Sequence, residues 1–359
     1  MTENLEGDMA DFNLNASVDN VRRRITCGVM TALASLPFSG VCVAAGEAGS
    51  PGGSPRVRML DQVSFVEAGE LRIAYAEVGQ RGGLPVLLLH GWPYDIQTYA
   101  EVALDLAVSG FHVFVPYLRG FGPTRFVSQS APRNGQQAVL ARDVVAFMDA
   151  LGIERALIGG CDWGARTANI VAALHPQRCT GLVSVSGYLI GSQAAGKTPL
   201  SPKAELSWWY QFYFATERGK DGYKKNRTEF ARLIWQLASP HWKFTDEEFL
   251  RSAASLDNPD HVDVVIDNYR WRMGLSVGDR TLDRVESALA AKPSIAVPTI
   301  TLEGDANGAP HPDARDYASM FTGPYEHRLI TGGIGHNLPQ EAPRAFAGAV
   351  RDLARGVQS

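Results

Sequence analysis

The hydrophobic pattern of the chain changes period repeatedly from residue 62 onward. Gln62–Val66 and Leu71–Val78 alternate apolar with polar residues around Ala68-Gly69-Glu70, which predicts an antiparallel strand pair with one wet face. Pro85–Leu89 is instead an unbroken apolar run, as expected of a strand covered on both faces, and it ends at His90. Tyr94–Ser109 then has helical spacing and stops at Gly110. The same alternation of short apolar run and helical segment continues through a strand at Phe111–Val115 and a helix at Gly135–Leu151 before Gly152. It goes on with a strand at Arg155–Gly160, a helix at Ala165–Leu174 and a strand at Gly181–Ser186. It returns late in the chain with strands at Thr299–Leu302 and Tyr325–Ile330 and a terminal helix. Strand and helix taking turns in this way predict an α/β fold with a mostly parallel sheet flanked by helices.

Two regions break that rhythm. From about Gly187 to Gly278 strands give way to helical, aromatic-rich sequence, including Trp208-Trp209-Tyr210-Gln211-Phe212-Tyr213-Phe214 and Asn268-Tyr269-Arg270-Trp271-Arg272. This stretch predicts a helical cap over 188–278, inserted between core segments 59–187 and 279–359. Most of its aromatics, Trp235 and Trp242 among them, are expected simply to pack the cap's own interior. At the amino terminus a polar, acidic stretch leads to Arg22-Arg23-Arg24, an apolar run and Val43-Ala44-Ala45. That order reads as an export signal over 1–45 of twin-arginine type, and it predicts a periplasmic enzyme; without the signal the protein is cytoplasmic. The apolar run is short and broken by Pro37, so stable membrane insertion is not expected. Residues 46–58, rich in Gly, Ser and Pro, read as a flexible linker.

Composition narrows the function. The chain has 359 residues, 45% hydrophobic and 20% charged, with a net charge of −4, which gives no basic footprint for nucleic acid. Four cysteines in this length do not make a disulfide framework. The eight histidines form no metal-binding motif, so neither metal nor cofactor is expected.

The chemistry centres on Gly160-Cys161-Asp162-Trp163-Gly164. A strand, a sharp glycine-flanked turn and a helix form the context of a nucleophile turn, G-x-Nu-x-G, with Asp162 at its apex. The Trp163 backbone N–H then faces a developing oxyanion. His90-Gly91-Trp92-Pro93 follows the buried strand at Pro85–Leu89, and Gly333-Ile334-Gly335-His336 follows the strand at Tyr325–Ile330. An aspartate nucleophile has a chemical consequence. Serine attacking an sp3 carbon leaves an inert ether, whereas aspartate leaves an ester whose carbonyl carbon accepts water. Asp162 therefore points to epoxides or alkyl halides.

With these motifs, residues 60–355 resemble the α/β-hydrolase superfamily, and within it the epoxide hydrolase branch. The resemblance implies an α/β-hydrolase fold, with Trp92 supplying a second oxyanion N–H beside that of Trp163 and His336 acting as general base. It also implies ring-opening roles for Tyr210 and Tyr269, since epoxide hydrolases carry tyrosines in Y-Q-x-Y-F and N-x-Y-R-like segments. The acid expected to orient His336 follows the strand at Thr299–Leu302, in Glu303-Gly304-Asp305-Ala306-Asn307. Relatives place it three residues after the glycine, where this chain has Asn307, so Asp305 is taken as the nearest carboxylate. The expected reaction opens an epoxide to a vicinal diol through an Asp162 ester. Seven tryptophans, five of them in the cap, suggest a small apolar or aromatic epoxide. The alternatives are a haloalkane dehalogenase and a silent hydrolase-fold binding protein.

Overall fold

The structure is a computed structural model that describes residues 60–358; the expected export signal and linker lie outside the described residues. Nine strands form one sheet: β1 Ser64–Ala68, β2 Leu71–Gly79, β3 Pro85–Leu89, β4 His112–Pro116, β5 Arg125–Phe126, β6 Ala156–Gly160, β7 Cys179–Val185, β8 Thr299–Gly304 and β9 Tyr325–Ile330. Their order is β1-β2-β4-β3-β6-β7-β8-β9, with the two-residue β5 beside β2. The first pairs, β1–β2 and β2–β4, are antiparallel, and every pair from β4–β3 to β8–β9 is parallel. The fold is thus the mostly parallel α/β sheet expected from the pattern, in the α/β-hydrolase arrangement that the resemblance implies.

The continuous apolar runs are explained by layers on both faces. Side chains alternate across a strand, so Leu87, Leu89, Ile158 and Leu182 join a core that also holds Val144 and Phe147. Val86, Leu88, Leu157 and Val183 enter the opposite core with Val102, Leu106, Phe346 and Val350. The first face is covered by helices Gln137–Ala150 and Trp163–Leu174, the second by Ala100–Val108 and Pro343–Gln358. The helix expected over Tyr94–Ser109 is split: Asp95 caps a 3₁₀ turn at Ile96–Tyr99, and the α-helix proper starts at Ala100.

Between β7 and β8 the described residues form helices and loops without a named strand. A last helix there, Asp283–Ala290, lies beyond the expected cap boundary. It sends Glu286 to accept hydrogen bonds from the Gln136 and Gln137 side chains and the Ala138 N–H, where helix Gln137–Ala150 begins. No helix among the described residues is long and apolar enough to cross a membrane.

Candidate active site

β6 delivers Asp162 to the carboxyl edge of the sheet through a turn that only close backbone approach permits. Asp162 has φ 55° and ψ −119°, a strained conformation for a residue with a Cβ. A Cβ on Gly164 would stand 1.9 Å from the Leu89 carbonyl oxygen, so the start of helix Trp163–Leu174 lies directly against the end of β3. That helix begins two residues earlier than the sequence pattern suggests, because the chain turns helical straight after the strained residue. Gly91 is equally confined: its Cβ would lie 2.4 Å from that of Asp162.

This proximity aims backbone donors at the aspartate. Trp92 N–H donates to Oδ1 of Asp162 at 2.8 Å, and Trp163 N–H is directed at the same carboxylate. The other oxygen, Oδ2, is 3.6 Å from Nε2 of His336. Burial acts to raise the Asp162 pKa, but His336 and the two backbone donors together outweigh it and hold the carboxyl below its ordinary value. Asp162 is therefore ionised, with one oxygen seated among donors and the other facing the imidazole.

Two buried histidines hold the Trp92 loop. His90 Nδ1 lies 3.0 Å from the Gly91 carbonyl and must donate to it; Nε2 then accepts from Leu118 N–H at 3.1 Å. The same reasoning fixes His261. Its Nδ1 faces the Gly120 carbonyl at 2.9 Å, so its Nε2 accepts from the Tyr223 hydroxyl at 2.8 Å, and that hydroxyl accepts from the Trp92 indole at 2.8 Å. Burial lowers the pKa of His90 to about 4 and of His261 to about 3, keeping both neutral. Sequence reasoning did not find this second chain; its members are far apart in sequence and match no motif.

The cap brings Tyr210, on helix Trp209–Ala215, and Tyr269, on helix His261–Arg272, edge-on to each other with ring centroids 5.4 Å apart. Both pack on the Trp92 ring, at 5.4 and 5.3 Å, and Tyr269 also lies 5.9 Å from Trp163. Burial, reinforced for each by the Asp162 charge, pushes both phenols above their ordinary value, so both are protonated. A cavity of about 760 Å³ opens onto Asp162 and His336. The tyrosines stand beside its lining rather than in it.

Asp305 is not brought to His336. It is exposed, and its carboxylate accepts from the N–H groups of Gly332, Gly333 and Ile334, each at 2.9 Å. It ties down the turn after β9, and those three donors, Gly332 first, hold its pKa low against the opposing effect of desolvation. Asn307 bonds to Glu303 Oε1 at 2.8 Å and to Ser186. His336 Nδ1 is buried without a protein partner, and so is Oε2 of Glu303 at the end of β8. Ser239, also missed from sequence, accepts from His336 N–H at 2.9 Å and donates to Glu341 at 2.7 Å, fixing the histidine's backbone. Among the described residues no group of three or more candidate ligands could hold a metal.

Comparison with known proteins agrees with this architecture. Residues 85–225 match the family model for the alpha/beta hydrolase fold. The chain is 58% identical to a Klebsiella pneumoniae protein provisionally named an epoxide hydrolase, whose crystal structure superposes with a TM-score of 0.82 over 84% of this chain and 99% of that one. The chain belongs to the α/β-hydrolase family. This hydrolase is 34% identical over 160 residues to epoxide hydrolase B of Mycobacterium tuberculosis, across 41% of its own length and 44% of that protein's. It is 30% identical over 151 residues to the haloalkane dehalogenase of Mycobacterium marinum, across 41% of this chain and 48% of that one. Each of these two matches spans less than half of the curated relative.

Proposed function

We propose that this hydrolase opens epoxides to vicinal diols in two steps through an ester on Asp162. The observation that supports this best is the division of labour within one carboxylate: Oδ1 bonded to Trp92 N–H and Oδ2 open toward His336. Oδ2 attacks an epoxide carbon and the C–O bond breaks. The released oxygen takes a proton from Tyr210 or Tyr269, which burial keeps protonated for that purpose. The new ester then already has its carbonyl oxygen, Oδ1, among the donors that stabilise a tetrahedral intermediate. His336 takes a proton from water and the resulting hydroxide adds to Cγ. Collapse expels the diol oxygen, which takes the proton from the imidazolium, and the acid proton left on the Asp162 carboxyl returns to the tyrosinate, restoring both groups.

Glu303, rather than Asp305, is the carboxylate assigned to position His336. It is buried at the end of β8 with one oxygen unpartnered, and the loop it opens bonds to the His336 loop through Ala306 N–H and the Ile334 carbonyl at 2.8 Å. A second reading, dehalogenation, has one observation in its favour: the buried Trp163 indole N–H beside the nucleophile is directed at the Tyr269 hydroxyl without a hydrogen bond of full geometry, which leaves it a donor for a halide. The Trp92 indole, by contrast, is committed to Tyr223.

The test assays diol and halide together on a panel of epoxides and haloalkanes. Diol formation that falls about 10- to 100-fold in Tyr210→Phe or Tyr269→Phe, and further in the double variant, supports the first reading. Halide release indifferent to both changes replaces it with the second. In ¹⁸O-water, a single turnover should leave the heavy isotope in Asp162 while the first diol released stays light; label in that first diol overturns the ester. Residues 1–45 are proposed as an export signal, which an unprocessed amino terminus on protein from native cells would refute.

A further inference from the structure

Two guanidinium groups line the cavity beside the nucleophile, those of Arg166 and Arg272. Arg166 stands one helical turn after Asp162; its Nε donates to the Leu189 carbonyl at 2.9 Å, and the group enters no ion pair. Arg272, from the last turn of helix His261–Arg272, has its guanidinium carbon 4.5 Å over the Trp208 ring and 5.6 Å from Tyr269, again with no ion pair. Among the described residues, the other buried or half-buried arginines carry ion pairs. Buried Arg119 is bidentate to Asp143 at 2.6 and 2.7 Å, and Arg270, two residues before Arg272, pairs with Glu217 at 3.0 Å.

The arrangement is costly without a ligand. Burial and the like charge of Arg272 lower the Arg166 pKa to about 10, and the Asp162 charge only partly offsets them. Both side chains are half-buried in the cavity wall, and cations drawn partly out of water without counter-ions destabilise a fold. Asp162 is a carboxylate whose charge acts on Arg166, and it becomes neutral whenever it is esterified, which removes that compensation in mid-reaction. The planar donor forks of arginine suit a carboxylate in particular.

We propose that Arg166 and Arg272 form an anion subsite that receives the carboxylate of the substrate, making this an enzyme for epoxy acids. The inference rests on the epoxide reading for the reaction and on the two arginines for the substrate's charge. A bound carboxylate offsets one of the pair's two charges and directs the reactive carbon of a short substrate toward Oδ2 of Asp162.

The test uses the full chain with matched acid and amide probes. For turnover, an aryl glycidate is compared with its glycidamide; for binding alone, phenylacetate is compared with phenylacetamide by calorimetry. Wild type should favour the acid in both. Arg166→Gln and Arg272→Gln should each shrink the acid-over-amide preference by roughly 10- to 100-fold, the worth of one or two charge-assisted hydrogen bonds. Arg272→Lys, which keeps the charge, should retain part of it. Equal handling of acid and amide by wild type overturns the subsite, and this arm needs no variant to fold. If neither epoxide reacts but phenylacetate still binds in preference to phenylacetamide, the subsite stands and the reaction assignment fails.

Discussion

At the scale of single residues, the site depends on which carboxylates are ionised and what each one touches. Asp162 is held below its ordinary pKa, so it remains charged as pH falls through the usual aspartate range near ~4. Its interactions therefore favour the folded state above its unfolded-state pKa, and that contribution is lost as pH falls through the lower, folded value. Ester formation in a single turnover should accordingly persist to about pH 4; a fall in that step starting near pH 6 would show that Asp162 is not depressed. Glu303 and Asp305 separate just as cleanly. Glu303→Gln should slow ester hydrolysis by at least roughly 10²-fold while leaving ester formation measurable, so that alkylated enzyme accumulates in quenched samples. Asp305→Asn should lower the melting temperature, because it weakens three backbone hydrogen bonds at the turn after β9, with little change in turnover. The opposite pattern would restore Asp305 to the role read from sequence. That reading picked the nearer carboxylate to the expected position. It could not see that donors 27 to 29 residues away would occupy both Asp305 oxygens.

At the scale of elements, what was legible is what local sterics dictate. Gly160, Gly164 and Gly91 mark places where backbones approach too closely for a side chain, and such constraints appear directly as residue types. The two segments that carry Tyr210 and Tyr269 each fold as one helix, Trp209–Ala215 or His261–Arg272, so their helical character was legible locally. The link between elements was not legible. Trp92, Tyr223 and His261 come from a loop and two helices, and only the fold orients their hydrogen bonds in one direction, ending on the Gly120 carbonyl. Tyr223→Phe tests that chain. It strands the Trp92 indole N–H and His261 Nε2 without partners, and each buried orphan costs about 1–3 kcal/mol. Chemical denaturation should show a loss of about 2–6 kcal/mol on that basis, with reduced catalysis as the Trp92 loop relaxes. A loss below about 0.5 kcal/mol, the level of an ordinary surface change, would mean that the chain is not structurally important.

At the scale of the whole molecule, the question is whether the cap moves as a lid or is part of the core. The insertion between β7 and β8 makes it look separable, and a chain of this size can unfold in stages. Its buried attachments argue otherwise. Trp235 donates to the Pro93 carbonyl at 3.1 Å, beside the oxyanion loop, and Asn258 donates to the Gly122 and Thr124 carbonyls at 3.0 and 2.7 Å. Ser239 holds the His336 backbone at 2.9 Å, and Tyr210 and Tyr269 pack on Trp92. Lifting the cap would break these bonds together and expose the aromatic cluster to water, so it should come away only when the core unfolds. The tryptophans supply the readout: Trp208, Trp209, Trp235, Trp242 and Trp271 lie in the cap, whereas far-ultraviolet circular dichroism reports helices and sheet throughout. Denaturant curves from the two signals should coincide, with one midpoint and one slope. An early fluorescence transition would instead identify a cap that opens alone. Substrate entry would then be a gated step, rather than passage through the standing cavity that Arg166 and Arg272 line.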